Sequence, residues 1–285
     1  LNWYTKGNQG EKSAALYALA GNGSPEALPV LMRAAESAGY KWEPTGAVQA
    51  LLLYARTIGL AGDRRGMKKI TDLVVSKSTT PGTAGQRLAA MSVVVAVQGE
   101  DALPMLLEAA GDNDIAIRGG ALRLAELLPG SEATKKWIKR YTKVSGEAKP
   151  EILFMLGERG DKLAVPLVLK ALNDPSQEIA GEAVTALAQL QGAGAVDPLI
   201  SWILKNDNEE GHRTATGALT TILDSTSIKK VAENLPASKG HSTVALIWLL
   251  SWSGRHEFFD DVLAYVNSKD MGARAAAISS LGSLA

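Results

Sequence analysis

The chain of 285 residues has no cysteine, which excludes disulfides, thiolate metal sites and cysteine nucleophiles together. A complete lack of cysteine leans toward an extracytoplasmic compartment, the periplasm in a bacterium. Histidine is scarce as well. His212, His241 and His256 are too scattered for a spaced zinc motif, which needs three or four converging ligands. Formal net charge is zero, so there is neither the overall basic balance of a nucleic-acid-binding domain nor an acidic tail. No apolar run reads as long enough for a membrane helix; VALIWLLSW (244–252) comes nearest. G-x-S-x-G, H-E-x-x-H and P-loop patterns are missing, and no carboxylate pair is spaced for acid–base work. Neither metal nor cofactor is implied, and the chain reads as non-catalytic. No signal peptide is visible, and the sequence runs from Leu1, which is not methionine, to Ala285 inside a helical pattern. The expectation is a segment of a longer protein.

What the chain does have is alanine, within a hydrophobic content of 46% of which aromatics supply only 5% of residues, a balance suited to closely packed helices. The stretch 173–205, NDPSQEIAGEAVTALAQLQGAGAVDPLISWILK, sets the pattern. Ser176 stands where a helix N-cap belongs, and Ile179, Ala183, Leu187 and Leu190 form one apolar stripe. GAGA at 192–195 interrupts it, and Pro198 opens a second apolar helix. The pairing of a cap with an apolar anchor seven residues on recurs as Thr83/Ala90, Asp114/Ala121, Ser145/Ile152, Asn208/Ala215, Ser238/Ala245 and Asp270/Ala277. Successive anchors from Ala90 to Ala277 lie 31, 31, 31, 32, 30 and 32 residues apart. Asn8/Ala15/Leu19 and Glu43/Ala50/Tyr54 fit with longer spacing. A fixed period of this size marks stacked helix pairs that cannot bury their faces alone.

Helix patterns such as DMGARAAAISSLGSL (270–284), DIAIRGGALRLAELL (114–128) and PSQEIAGEAVTALAQLQG (175–192) resemble the HEAT repeat family in its short bacterial HEAT-like form. That resemblance implies an all-α, right-handed α-α superhelix of about nine helix pairs, the last one truncated. The expected units lie near 8–42, 43–82, 83–113, 114–144, 145–175, 176–207, 208–237, 238–269 and 270–285 of a single solenoid. It implies a scaffold whose second helices line a concave surface for a protein partner or for other domains of the same polypeptide. Two other readings come with it: an accessory arm of an extracytoplasmic, carbohydrate-active enzyme, or an enzyme of the HEAT-like DNA glycosylase or bilin lyase kind.

Four residues after the second-helix proline, or its equivalent, stand Arg33, Glu108, Lys139, Lys170, Trp202 and Glu233. A row otherwise charged should face solvent, so Trp202 there is either a local packing filler or an exposed anchor for the partner, and the anchor, beside Lys170 and Lys139, is the expectation. Two basic stretches, Arg64/Arg65/Lys68/Lys69 and Lys135/Lys136/Lys139/Arg140/Lys143, would suit nucleic acid, and Trp137 and Tyr141 would add stacking surfaces. Glu100, Asp101, Glu108, Asp112 and Asp114 fall between them and would repel a phosphate backbone. Nucleic acid is therefore not the expected partner.

Overall fold

The computed structural model describes residues 6–80 and 82–285, and among these it contains helices and turns without strands. Pro81 lies outside them. The chain divides into two compact units, 1–133 and 134–285. The first holds α1 (Gln9–Asn22), α2 (Leu28–Ser37), α3 (Ala47–Leu60), α4 (Arg64–Lys77), α5 (Ala84–Gln98), α6 (Leu103–Ala109) and α7 (Ile115–Glu126). α8 (Ser131–Tyr141) falls mostly in the second, followed by α9 (Ala148–Arg159), α10 (Val165–Ala171), α11 (Gln177–Gln191) and α12 (Val196–Lys205). α13 (Glu209–Ile222), α14 (Ile228–Asn234), α15 (His241–Ser253), α16 (Phe259–Leu263) and α17 (Met271–Leu284) complete it. Odd-numbered helices are the first members (A) of the pairs and even-numbered helices the second (B).

Within each unit, consecutive A helices pack side by side, and α2, α4, α6, α10, α12, α14 and α16 each pack on the A helix that follows. The anchors explain how. Ala50, Ala90, Ala121, Ile152, Ala183, Ala215 and Ala277 are fully enclosed, and Ala245 nearly so. Four residues on, Tyr54, Val94, Ala125, Leu156, Leu187, Leu219 and Leu249 are buried too. Small side chains at the first position let helix axes approach, and larger ones a turn later fill the seam. The first repeat differs by one residue: Leu16 and Ala20 are enclosed, whereas Ala15 and Leu19 are only half-buried.

The caps divide into two groups. Asn8, Asp114, Ser176, Asn208 and Asp270 each accept from a first-turn amide, and Asn8 with Glu11 makes a full capping box. Thr83, Ser145 and Ser238 do not cap: Thr83 and Ser238 donate instead to the carbonyls of Thr80 and Leu235. Glu43 acts at longer range, accepting from the Ala47 amide at 2.7 Å while Gly46 holds the N-cap position. α3 accordingly starts at Ala47, and Pro44 precedes the helix. Arg118 and Arg274, each four residues after an aspartate cap, reach back to loop carbonyls: Arg118 Nη1 donates to Asp112 O at 3.1 Å, and Arg274 Nη1 to Ser268 O at 2.8 Å.

A single-turn 3₁₀ segment opens several B helices. Pro29, Pro104 and Pro166 then sit in the first two helical positions, where a missing N–H leaves no bond unmade. By length and composition 84–109 is apolar enough to cross a membrane, a stretch that the reading of short apolar runs passed over. It is not one straight helix. Gly99 takes a left-handed φ of 56°, and a 3₁₀ turn carrying Glu100 and Asp101 separates α5 from α6.

Close helix approach gives a test at two glycines. A Cβ on Gly157 would stand 3.0 Å from the Ala186 backbone, whereas one on Gly217 would meet nothing within 4 Å. Gly157→Ala is expected to destabilise by about 1–3 kcal/mol through overpacking. Gly217→Ala is expected to stabilise by about 0.5–1 kcal/mol through helix propensity alone. Urea unfolding of both variants checks the signs.

Candidate functional site

Five of the six residues expected to face solvent, Arg33, Glu108, Lys139, Lys170 and Glu233, are exposed. Trp202 is not. It is 6% exposed, which corrects its assignment as an exposed anchor. Its indole Nε1 donates to Leu172 O at 2.7 Å, satisfying one of the carbonyls that the end of α10 leaves without an intrahelical donor. The ring lies edge-on to buried His212, with 6.4 Å between centroids. Space for the indole comes from Gly211, where an added Cβ would sit 2.6 Å from Trp202 Cη2. Four residues before the anchor, other repeats place Ile117 and Ile179; here glycine and tryptophan exchange that volume.

Trp202 forms part of the wall of a groove of about 870 Å³ between the N-terminal halves of α11 and α13. The loops 172–175 and 206–208 close one end, and Gly181, Thr185, Gly211 and Thr214 contribute to the sides. Five carboxylates line it, Asp174, Glu178, Glu182, Asp207 and Glu210, and no lysine, arginine or histidine does. Lys205 and Arg213, the nearest basic residues along the chain, are absent from its lining. Sequence reasoning passed over this site, although 171–204 contains no basic residue and Asp174, Glu178 and Glu182 recur at four-residue spacing.

The carboxylates differ in state. Burial pushes the Glu182 carboxyl above the usual glutamate range, and its Oε1 is enclosed with no hydrogen-bond partner. At the rim, Asp207 Oδ1 meets His241 Nδ1 at 2.8 Å. That hydrogen bond holds Asp207 below the ordinary aspartate value and raises His241 above the ordinary histidine value. Such a set attracts cations and hydrogen-bond donors. Among the described residues, no group of three or more His, Asp or Glu side chains is placed to hold a metal ion.

The residues considered for nucleic acid do not form a stacking platform. Trp137 is fully buried and Tyr141 nearly so. Arg64 faces Asp101 at 3.9 Å, and Lys68 is paired with Asp72 on its own helix at 2.6 Å.

Residues 134–220 match the family model of HEAT repeats, and residues 12–37 that of the PBS lyase HEAT-like repeat. Each compact unit thus contains a stretch that matches a HEAT-like repeat. No curated protein matches its sequence. Among solved structures it is similar to an engineered protein at 13% identity and a TM-score of 0.38, covering 99% of this chain and 87% of that one. Human deoxyhypusine hydroxylase, in complex with glycerol, is 15% identical with a TM-score of 0.32, covering 98% and 91%. The complex of CpcE and CpcF of phycocyanin lyase from Nostoc sp. PCC7120 gives 18% identity and a TM-score of 0.33, covering 83% and 90%.

Two measurements check the site's geometry. Trp202→Phe keeps most of the apolar volume but strands the Leu172 carbonyl, an expected loss of about 1–3 kcal/mol in a denaturant melt. In an NMR titration, the His241 imidazole should deprotonate above the ordinary histidine midpoint of about 6.5, and Asp207→Asn should bring it back down. Because Asp207 is lowered and His241 raised in the folded state, what this pair contributes to stability is complete between the unfolded aspartate and unfolded histidine midpoints. It is lost as pH falls through the folded Asp207 value and as pH rises through the folded His241 value.

Proposed function

We propose that this chain is a non-catalytic binding solenoid whose groove between α11 and α13 takes a basic segment of a partner protein. The observation that carries the reading is the lining: five carboxylates and no basic side chain around about 870 Å³. Excess negative charge in a concave, partly desolvated site favours lysine and arginine, speeds encounter with a basic partner and repels acidic ones. Trp202 serves this reading as part of the wall, and exposed Lys139, Lys170 and Glu233 supply charged contacts on the B helices of the same unit. Arg33 and Glu108 do so in the first unit.

An oligolysine peptide is the direct probe, with oligoglutamate as control. The expected result is saturable binding of oligolysine that weakens with salt, and no binding of oligoglutamate. Glu178→Lys combined with Glu210→Lys replaces two exposed lining charges and should weaken oligolysine at least about tenfold while leaving the helical circular dichroism intact. Equal affinity for wild type and the double variant would overturn the reading.

A further inference from the structure

A second pocket lies in the first unit, between α3 and α5, with a volume of about 290 Å³. It is lined by Trp42, Val48, Leu52 and Ala89, by Gly82 and Gly85, and by two amides, Gln49 and Gln86; among the described residues no charged one lines it.

The loop 38–46 that carries Trp42 is firmly held. Tyr40 has a φ of 56°, the one non-glycine residue in the left-handed region among those described, and its ring is buried at 7% exposure. An aromatic residue persists in that conformation only where its surroundings enforce it. Here the Glu43 carboxylate accepts from the Thr45 amide at 2.7 Å, the Thr45 hydroxyl at 2.8 Å and the Ala47 amide at 2.7 Å. Gln86 ties the loop to α5: its Oε1 accepts from the Trp42 N–H at 2.7 Å, and its Nε2 donates to Thr83 O at 3.1 Å. All of this fixes the backbone of a tryptophan that is itself 70% exposed. Folding alone gives no reason to hold an indole in water.

The other indication is Gln49, whose side chain contributes to the pocket wall and whose Oε1 is enclosed without a hydrogen-bond donor. A buried acceptor left unpaired calls for a ligand that donates to it. Its amide also carries a donor, so one hydroxyl can give a proton to Oε1 while a neighbouring oxygen accepts from Nε2. Adjacent hydroxyls on a ring have that geometry, and the C–H face of such a ring is flat and apolar enough to lie on an indole. Gly82 and Gly85, where an added Cβ would meet nothing within 4 Å, leave room at the mouth. A cation gains nothing from an uncharged lining, and a proline ring brings no donor. We propose that the pocket between α3 and α5 binds a neutral saccharide ring, stacked on Trp42 and hydrogen-bonded to the Gln49 amide.

The test uses three methyl glycosides, of glucose, galactose and N-acetylglucosamine, with N-acetyltyrosinamide and a short oligoproline as competing chemistries. The readouts are the Trp42 indole N–H resonance in ¹⁵N-labelled protein and saturation transfer to the ligand. At least one glycoside should shift that resonance saturably and receive saturation on its ring protons. Trp42→Ala should abolish the transfer, and Gln49→Leu should weaken binding at least about tenfold, as when a site's polar partner is removed. Gln49→Leu removes an unpaired acceptor and Trp42 is exposed, so both variants should keep wild-type melting. The inference is overturned if no glycoside shifts the resonance, or if Trp42→Ala binds the glycosides as wild type does. It is equally overturned if only the tyrosine or proline probe shifts the resonance. Oligolysine binding at the α11–α13 groove is read separately and stands or falls on its own.

Discussion

Each helix pair exposes an apolar face that only another pair can cover, and the covering depends on how near two A helices can come. The enclosed anchors, nearly all alanine, set that distance. At Gly120 and Gly157 the approach is tighter still, since a Cβ there would collide with Leu88 or with Gln189 and Ala186. Everything else accommodates this seam. Because A helices lie side by side in register, a polar group on one repeat meets its partner about one repeat later. Trp202 Nε1 with Leu172 O and Tyr265 Oη with Leu235 O are both 30 residues apart, and Ser251 with Ser283 is 32 apart. Helix ends that would otherwise leave carbonyls without donors are satisfied by the neighbour, so packing and hydrogen bonding reinforce each other.

The same register concentrates carboxylates at one place. Glu178 and Glu210 lie in the first turns of α11 and α13, where the positive end of the helix dipole favours negative charge. Asp207 is held by His241 from the next A helix. The acidic groove therefore carries part of its own compensation, and several like charges can line it without driving the two helices apart. Glu182 lacks that help. Burial alone acts on it, and its pKa rises instead of falling.

The period, the anchors and the helix order were legible in the sequence because each repeats an identical physical demand. Caps were legible only where the side chain had no better partner: Asp114, Ser176, Asn208 and Asp270 cap, whereas Thr83 and Ser238 turn back to loop carbonyls. Trp202 was misread because a row of charged residues implies a solvent face only while the backbone opposite is unchanged. Gly211, nine residues later, was the sign that the volume had moved. The long apolar segment 84–109 escaped notice because Glu100 and Asp101 interrupt it by eye, although they occupy only the turn between α5 and α6. The groove and the pocket could not be read from either helix alone, since each is made from halves contributed by two repeats.

Those halves correspond. Counted from the anchors Ala50 and Ala90, the pocket of the first unit uses Val48, Gln49 and Leu52 on one helix with Gly85, Gln86 and Ala89 on the next. Counted from Ala183 and Ala215, the same positions are Gly181, Glu182 and Thr185 with Glu210, Gly211 and Thr214, all of which line the acidic groove. The residue just before the first anchor is Gln49 in one and Glu182 in the other, and in both an enclosed Oε1 has no partner. One position of the repeat thus places an acceptor in the cleft between successive A helices, and the choice of amide or carboxylate sets what it can hold. Gly120 occupies that position in α7, and its missing Cβ is what lets Leu88 approach. Both clefts open where a repeat spends its anchor-adjacent residue on a polar group instead of on closer packing.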